Sequence, residues 1–135
     1  MKLLLDTCCI IWAVSDPSSL SAKATDIPER EDSAIFVSPI SCAEIACLSK
    51  RGRIELDQHW KLWFNYHLEL NGWQIKDIDL TVIQEAYSLP NSFHSDPVDR
   101  IINATTRIHD LVLLTEGQNP IGRATTSSGG PRYQK

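Results

Sequence analysis

The sequence lacks any apolar run long enough to cross a lipid bilayer. Its longest, residues 8–14, is well short of the about 20 apolar residues that a membrane-spanning helix needs. Near the start, Asp6 interrupts a row of leucines before the apolar core of a secretory signal could form. These absences predict a chain without a membrane segment, located in the cytoplasm.

Cysteine is scarce and is not arranged for metal or disulfide chemistry. The four cysteines lie in apolar surroundings, without C-x-x-C spacing and without a histidine-rich partner segment. This pattern argues against a zinc site and against a disulfide framework. We expect all four to be reduced, buried thiols: Cys8, Cys9, Cys42 and Cys47.

An excess of positive charge is also missing, since the formal net charge at pH 7 is −4. Bulk attraction therefore does not favour nucleic acid as a ligand, because phosphate contacts need lysine and arginine. A metal site offers a local route to the same ligand, since acidic side chains hold a cation that then faces a phosphate. The short basic cluster at residues 50–53 is equally consistent with a phosphate contact and with a solvated helix end.

What is present is the composition of one globular domain, with 135 residues, 42% hydrophobic and 22% charged. Short apolar runs predict buried strands at residues 2–6, 34–38, 73–75 and 111–115. Helical spacing and capping residues predict helices at residues 7–14, 21–31, 39–50, 58–70, 80–88 and 96–109. This alternation predicts an α/β fold, a three-layer α/β/α sandwich around a central, mainly parallel sheet.

The last part of the chain has a different character. Residues 118–135 are rich in turn-forming residues and have no apolar periodicity. We therefore expect a folded domain over residues 1–117, followed by an irregular, mobile tail over residues 118–135.

Acidic residues follow the predicted strands or begin the next helices. They are Asp6, Glu44, Asp96, Asp99 and Glu116. The carboxyl ends of parallel strands border the ligand crevice in α/β proteins, so these carboxylates are expected to converge there. A divalent cation with oxygen ligands, Mg²⁺ or Mn²⁺, would remove their mutual repulsion.

Each acid also has a structural interpretation. Glu44 falls in the apolar stripe of Ile40, Ala43, Cys47 and Leu48, where a charge is costly, but with Ser41 it also fits a capping box. Pro39 moves the expected N-cap back to Ser38, which favours the functional interpretation of Glu44.

The helix at residues 96–109 starts with Asp96, Pro97 and Asp99, which is good capping with no chemistry implied. Arg100 would either hold the carboxylates or meet phosphate, or it would be an exposed helix residue. His94 receives no role.

Three segments resemble the successive motifs of the VapC-type PIN-domain toxins of type II toxin–antitoxin systems. They are LLLDT at residues 3–7, SPISCAEIA at 38–46 and HSDPVDR at 94–100, in order within about the first 115 residues. The resemblance implies a PIN-like sheet flanked by helices, an acidic Mg²⁺ site, RNA cleavage, a homodimer and a small antitoxin partner.

Position by position, the resemblance implies that Asp6, Glu44 and Asp99 are the metal-site and catalytic acids and that Asp96 is an auxiliary or structural neighbour. Thr115 would be the hydroxyl residue near the site. The family shows Thr, any residue and then Asp here, whereas this chain has Thr115-Glu116-Gly117. The fourth acid is therefore missing or displaced by one residue, and Glu116 would be an imperfect substitute for it.

Two other functions compete with the nuclease. The first is a catalytically weakened PIN-fold module that only binds an antitoxin. The second is a phosphohydrolase of the haloacid-dehalogenase type, which needs a second Asp two residues after the first, where this chain has Cys8.

Overall fold

The chain forms one parallel sheet in this computed structural model, which describes residues 2–15, 34–90 and 96–115. The strands in these residues are β1 (Lys2–Leu5), β2 (Ala34–Val37), β3 (Gln74–Ile75) and β4 (Val112–Leu114). Their order across the sheet is β3-β2-β1-β4, and every pairing is parallel. The first strand therefore lies between the second and the last.

The central strand β1 is buried on both sides. Leu3, Leu4 and Leu5 are inaccessible to water, which explains why this strand is a continuous apolar run rather than an alternating one. Successive side chains point to opposite faces, so Leu5 packs with Val37 on one face and Leu4 with Phe36 on the other. Both faces therefore require a covering layer.

Helices supply those layers. The helices in the described residues are α1 (Thr7–Ser15), α2 (Pro39–Lys50), α3 (Trp60–Asn71), α4 (Leu80–Ala86) and α5 (Pro97–His109). On the Leu5 face, Ile10 of α1, Ile45 of α2 and Trp63 of α3 complete one core. On the Leu4 face, Ile102 of α5 completes another, and α4 packs against α5 through Val82 and Ala86. The predicted three-layer α/β/α architecture is confirmed.

Several helices begin where their capping residues predict. The Ser38 hydroxyl accepts a hydrogen bond from the Ile40 amide at 3.1 Å, and Pro39 occupies the first turn of α2. The Asp79 side chain caps α4 in the same way. Gly72 ends α3 with φ +67°, a left-handed conformation that favours glycine.

The buried face of α2 differs from the predicted one. Ala43 and Cys47 are exposed, whereas Ser41, Glu44 and Leu48 are buried. The burial of Glu44 is confirmed, but the buried stripe is rotated toward Ser41, because α2 packs against α1, α3 and α5. All four cysteines are free thiols, as expected, but the expectation that all four are buried holds only for Cys9. Cys8 and Cys42 are partly exposed, and Cys47 is exposed.

The described helices and strands otherwise match their predicted positions to within about two residues. The helix predicted at 21–31 and the tail at 118–135 lie outside the described residues. None of the helices in the described ranges combines the length and apolar character needed to span a membrane.

Candidate active site

Three polar residues directly follow three neighbouring strands at the carboxyl edge of the sheet. Leu5 is level with Val37 of β2 and with Leu114 of β4. The next residues, Asp6, Ser38 and Thr115, therefore begin at the same edge. Asp6 lies in the middle because β1 is the central strand.

The Asp6 carboxylate is held at both oxygens. Its Oδ1 accepts a hydrogen bond from the Cys9 amide at 2.8 Å, which makes Asp6 the cap of α1. Its Oδ2 accepts a hydrogen bond from the Thr115 hydroxyl, which reaches across from the end of β4. The Asp6 amide donates to the Leu114 carbonyl at 3.1 Å. Thr115 thus lies next to Asp6, which agrees with the position that the resemblance implied for it.

Burial raises the pKa of Asp6 above its ordinary value. The hydrogen bonds from Thr115 and Cys9 act in the opposite direction, and the negative charge of Asp99 adds to the increase. Asp6 and Asp99, which are far apart in sequence, are therefore near enough to repel each other. A cation between them would relieve both the desolvation and the repulsion.

Asp99 and Asp96 belong to the start of α5. Asp96 caps this helix, since its Oδ1 accepts from the Val98 amide at 3.1 Å. The capping interpretation of Asp96 is therefore correct. Asp99, in the first turn, has a half-buried side chain, and its carbonyl accepts a hydrogen bond from Asn103. Asp99 is the member of this pair whose charge acts on Asp6.

Glu44 is buried, with 9% of its surface exposed, on the second turn of α2. The capping-box interpretation is wrong, because Ser38 caps α2 and the Ser41 hydroxyl instead accepts a hydrogen bond from Thr7. Ile40, at the start of α2, shares an apolar cluster with Val98 of α5. The beginning of α2 thus lies beside the beginning of α5.

The donor set is a pair of carboxylates rather than a ready-made cluster. Within the three described ranges, no three His, Cys, Asp or Glu side chains are grouped so that they could hold a metal ion. Mg²⁺ keeps several waters and commonly takes one or two protein carboxylates together with substrate phosphates. Asp6 and Asp99 fit that requirement.

Arg100 has a structural role that the sequence did not predict. It is buried, and its Nη1 donates a hydrogen bond to the Ala86 carbonyl at the end of α4 at 3.0 Å. Its guanidinium lies 5.6 Å from the centre of the Tyr87 ring. The expectation of an exposed helix residue is wrong. His94 and Glu116 lie outside the described residues.

Sequence reasoning missed two residues next to the site. Thr7 and Ser41 form a buried hydrogen bond between their hydroxyl groups. Their only sequence signal is adjacency, since Thr7 follows Asp6 and Ser41 precedes Glu44 by one helical turn.

Known structures share this fold. One is the crystal structure of VapBC2 from Rickettsia felis bound to a DNA fragment from their promoter, with a TM-score of 0.67 and 16% identity over 91% of this chain and 92% of that chain. Another is VapBC-1 from nontypeable Haemophilus influenzae, with a TM-score of 0.64 and 16% identity over 93% of each chain. At 16% sequence identity, these comparisons show that the chain shares the fold of those proteins and nothing more.

Sequence similarity gives the family. Ribonuclease VapC22 of Mycobacterium tuberculosis is 33% identical over 116 residues, which are 84% of this chain and 85% of that protein. The model of the family described as PIN domain matches residues 3–124. The match includes β2, β3, β4, all of β1 except Lys2, and both Asp6 and Asp99. With a carboxylate pair at the sheet edge and a family match over most of its length, this chain belongs to the PIN domain family.

Proposed function

We propose that this protein is a Mg²⁺-dependent endoribonuclease, the toxin of a type II toxin–antitoxin pair, which hydrolyses an RNA phosphodiester with metal-activated water. The observation that carries the proposal is the desolvated Asp6 carboxylate, fixed at both oxygens and facing the charge of Asp99. Its similarity to a protein named as a ribonuclease supports RNA as the substrate.

In this proposal Asp6 and Asp99 hold the metal, Mg²⁺ or Mn²⁺, and Glu44 is the third metal-site and catalytic acid. Asp96 and Glu116 are auxiliary acids near the metal. Glu44 suits its role because a carboxylate that is already largely buried has little hydration left to lose when a cation approaches. A bound Mg²⁺ supplies positive charge that activates water and stabilises the charge developing on the phosphate.

The chain's own residues prepare the site. The Thr115 hydroxyl and the Cys9 amide fix the orientation of the Asp6 carboxylate, so this ligand needs no rearrangement when substrate arrives. Because Asp96 caps α5, the first turn of that helix is fixed and Asp99 is held beside Asp6. Partial burial of the pair limits competition from bulk water.

The proposed partners are RNA, a cognate antitoxin and a second copy of the chain, in the cytoplasm. Structures that share the fold are described as toxin–antitoxin complexes or as VapBC assemblies, which supports the antitoxin. An antitoxin that covered the acidic edge would suppress cleavage.

The test is cleavage of a total RNA pool by the purified protein with Mg²⁺ and with EDTA. We expect fragments only with Mg²⁺, and their loss in Asp6→Asn and Asp99→Asn. Asp57→Asn, which neutralises an exposed carboxylate outside the site, is the matched control and should cleave normally. Cleavage at the wild-type rate by Asp6→Asn or Asp99→Asn would refute the assignment.

The weakened binding module predicts a different result. The reason to consider this module is the position of Glu116, because the family pattern has an Asp one residue further along the chain. A wild-type protein that leaves the RNA pool intact but binds an antitoxin peptide tightly would replace the nuclease with this function.

A further inference from the structure

A buried hydrogen bond ties α1 to α2. The Thr7 hydroxyl donates to the Ser41 Oγ at 3.0 Å, between residues 34 positions apart in sequence. Thr7 is 2% exposed and Ser41 is 0% exposed, so neither hydroxyl has water as an alternative partner. A polar pair in such a place is costly to bury and is retained only when it is satisfied.

The two hydroxyls are attached directly to the acidic site. Thr7 follows Asp6 and is the first residue of α1, the helix that the Asp6 side chain caps. Ser41 precedes Glu44 by three residues in α2, and residues at this spacing lie on the same helix face. The hydrogen bond therefore connects the turn that carries Asp6 with the helix face that carries Glu44.

Apolar packing also joins these helices. Ile10 of α1 and Ile45 of α2 belong to the same apolar cluster. Apolar packing brings helices together but is not directional, whereas a hydrogen bond fixes a distance and an angle. The Thr7–Ser41 pair is thus a contact suited to setting the rotation and height of α2 relative to Asp6.

We propose that Thr7 and Ser41 are positioning residues that set the placement of Glu44 relative to Asp6 and thereby the affinity of the site for a divalent cation. This inference rests on the proposed metal-dependent function. Neither hydroxyl is assigned a contact with metal or RNA. Their role is to hold the supporting helix, as outer residues do in metal sites.

The test separates positioning from plain stability. Thr7→Val and Ser41→Ala each leave one buried hydroxyl without its partner, and both should lower the free energy of unfolding. The double variant Thr7→Val/Ser41→Ala removes both polar groups, so most of the stability should return. Its Mn²⁺ affinity, measured by titration calorimetry, should stay about ten- to hundredfold weaker than that of the wild type.

Two control variants accompany the double variant. Thr7→Ser keeps the donor and should retain wild-type Mn²⁺ affinity. Thr105→Val removes another buried hydroxyl, one that donates to Ile101 within α5 at 2.7 Å, and should lower stability without changing Mn²⁺ affinity. Recovery of stability without recovery of affinity in the double variant supports the positioning role.

The outcomes that overturn the inference are distinct from those that overturn the proposed function. A double variant that binds Mn²⁺ as tightly as a binding-competent wild type overturns the positioning role alone. A Thr7→Ser protein that binds Mn²⁺ as weakly as Thr7→Val also overturns the positioning role alone. A wild-type protein that neither takes up Mn²⁺ nor cleaves RNA overturns the proposed function and the inference together.

Discussion

Replacing Thr115 by valine removes the hydroxyl that donates to Asp6 while preserving the shape of the side chain. A hydrogen bond to a charged group contributes about 1.5–3 kcal/mol to stability, against about 0.5–1.5 kcal/mol for a neutral pair. Because Asp6 also keeps its bond from the Cys9 amide, the loss should fall within the first range and leave the fold intact.

The assay is urea denaturation in EDTA at a pH above the raised pKa of Asp6, carried through a double-mutant cycle. Thr115→Val is measured with Asp6 and with Asp6→Asn, in which the side-chain amide still bonds Thr115 but carries no charge. The substitution should cost about 1 kcal/mol more in the Asp6 protein than in the Asn variant, the difference between a charged and a neutral bond. Thr115→Ser, which keeps the hydroxyl, is the control.

Substitutions at independent sites add to within about 0.5 kcal/mol. A coupling energy between Thr115 and Asp6 that is no larger than this would refute the reasoning. The coupling should also decline when the pH is lowered through the raised pKa of Asp6, because protonation removes the charge that strengthens the bond. A coupling that does not change with pH would point to packing instead of charge.

Two further predictions concern groups that the fold buries or exposes. Burial raises the pKa of Asp6, so the folded state binds a proton more readily than the unfolded state. The metal-free protein should therefore lose stability as the pH rises through that pKa. Thermal unfolding in EDTA should show this loss in the wild type and not in Asp6→Asn, and identical pH profiles of the two proteins would contradict the prediction. The exposed Cys47 should react with a thiol reagent in the native protein, whereas the buried Cys9 should react only on unfolding. Peptide mapping measures the labelling of each cysteine. Equal labelling of Cys9 and Cys47 in the native protein would exclude this packing of α1 and α2.

The fold was largely predictable because its local signals agree with one another. The leucines of β1 predict a strand buried on both faces, and Ser38 with Pro39 predicts the start of α2. Helical spacing predicts a helix at residues 58–70, and Trp63 and Phe64 of α3 are buried in the core. In each case the sequence pattern lies within the helix or strand that it predicts.

The orientation of α2 was less predictable. A stripe through Ala43 and Cys47 is as apolar as one through Ser41 and Leu48, and periodicity alone does not say which side is covered. The hydroxyl of Thr7 gives Ser41 a buried partner, which allows this polar residue to lie on the covered face. The pattern of apolar residues in α2 alone does not predict that contact.

Two of the predicted acids lie close together in the structure, but the contacts around them could not be predicted. Asp6 and Asp99 could be named from their places after a strand and at a helix start, and the structure places them within electrostatic reach. The role of Arg100 could not be predicted, because its acceptor is a main-chain carbonyl, Ala86, whose position depends on the packing of α4. Side-chain partners across elements require the assembled fold.

The position of β1 between β2 and β4 has a consequence for the order of assembly on the ribosome. Thr115 and Asp6, which meet at the candidate site, are 109 residues apart, so Asp6 is synthesised well before the residue that donates a hydrogen bond to it. Pairings between such distant segments form late in folding. If the proposed function holds, a nascent chain remains harmless to the messenger RNA being translated until β4 has emerged and joined the sheet.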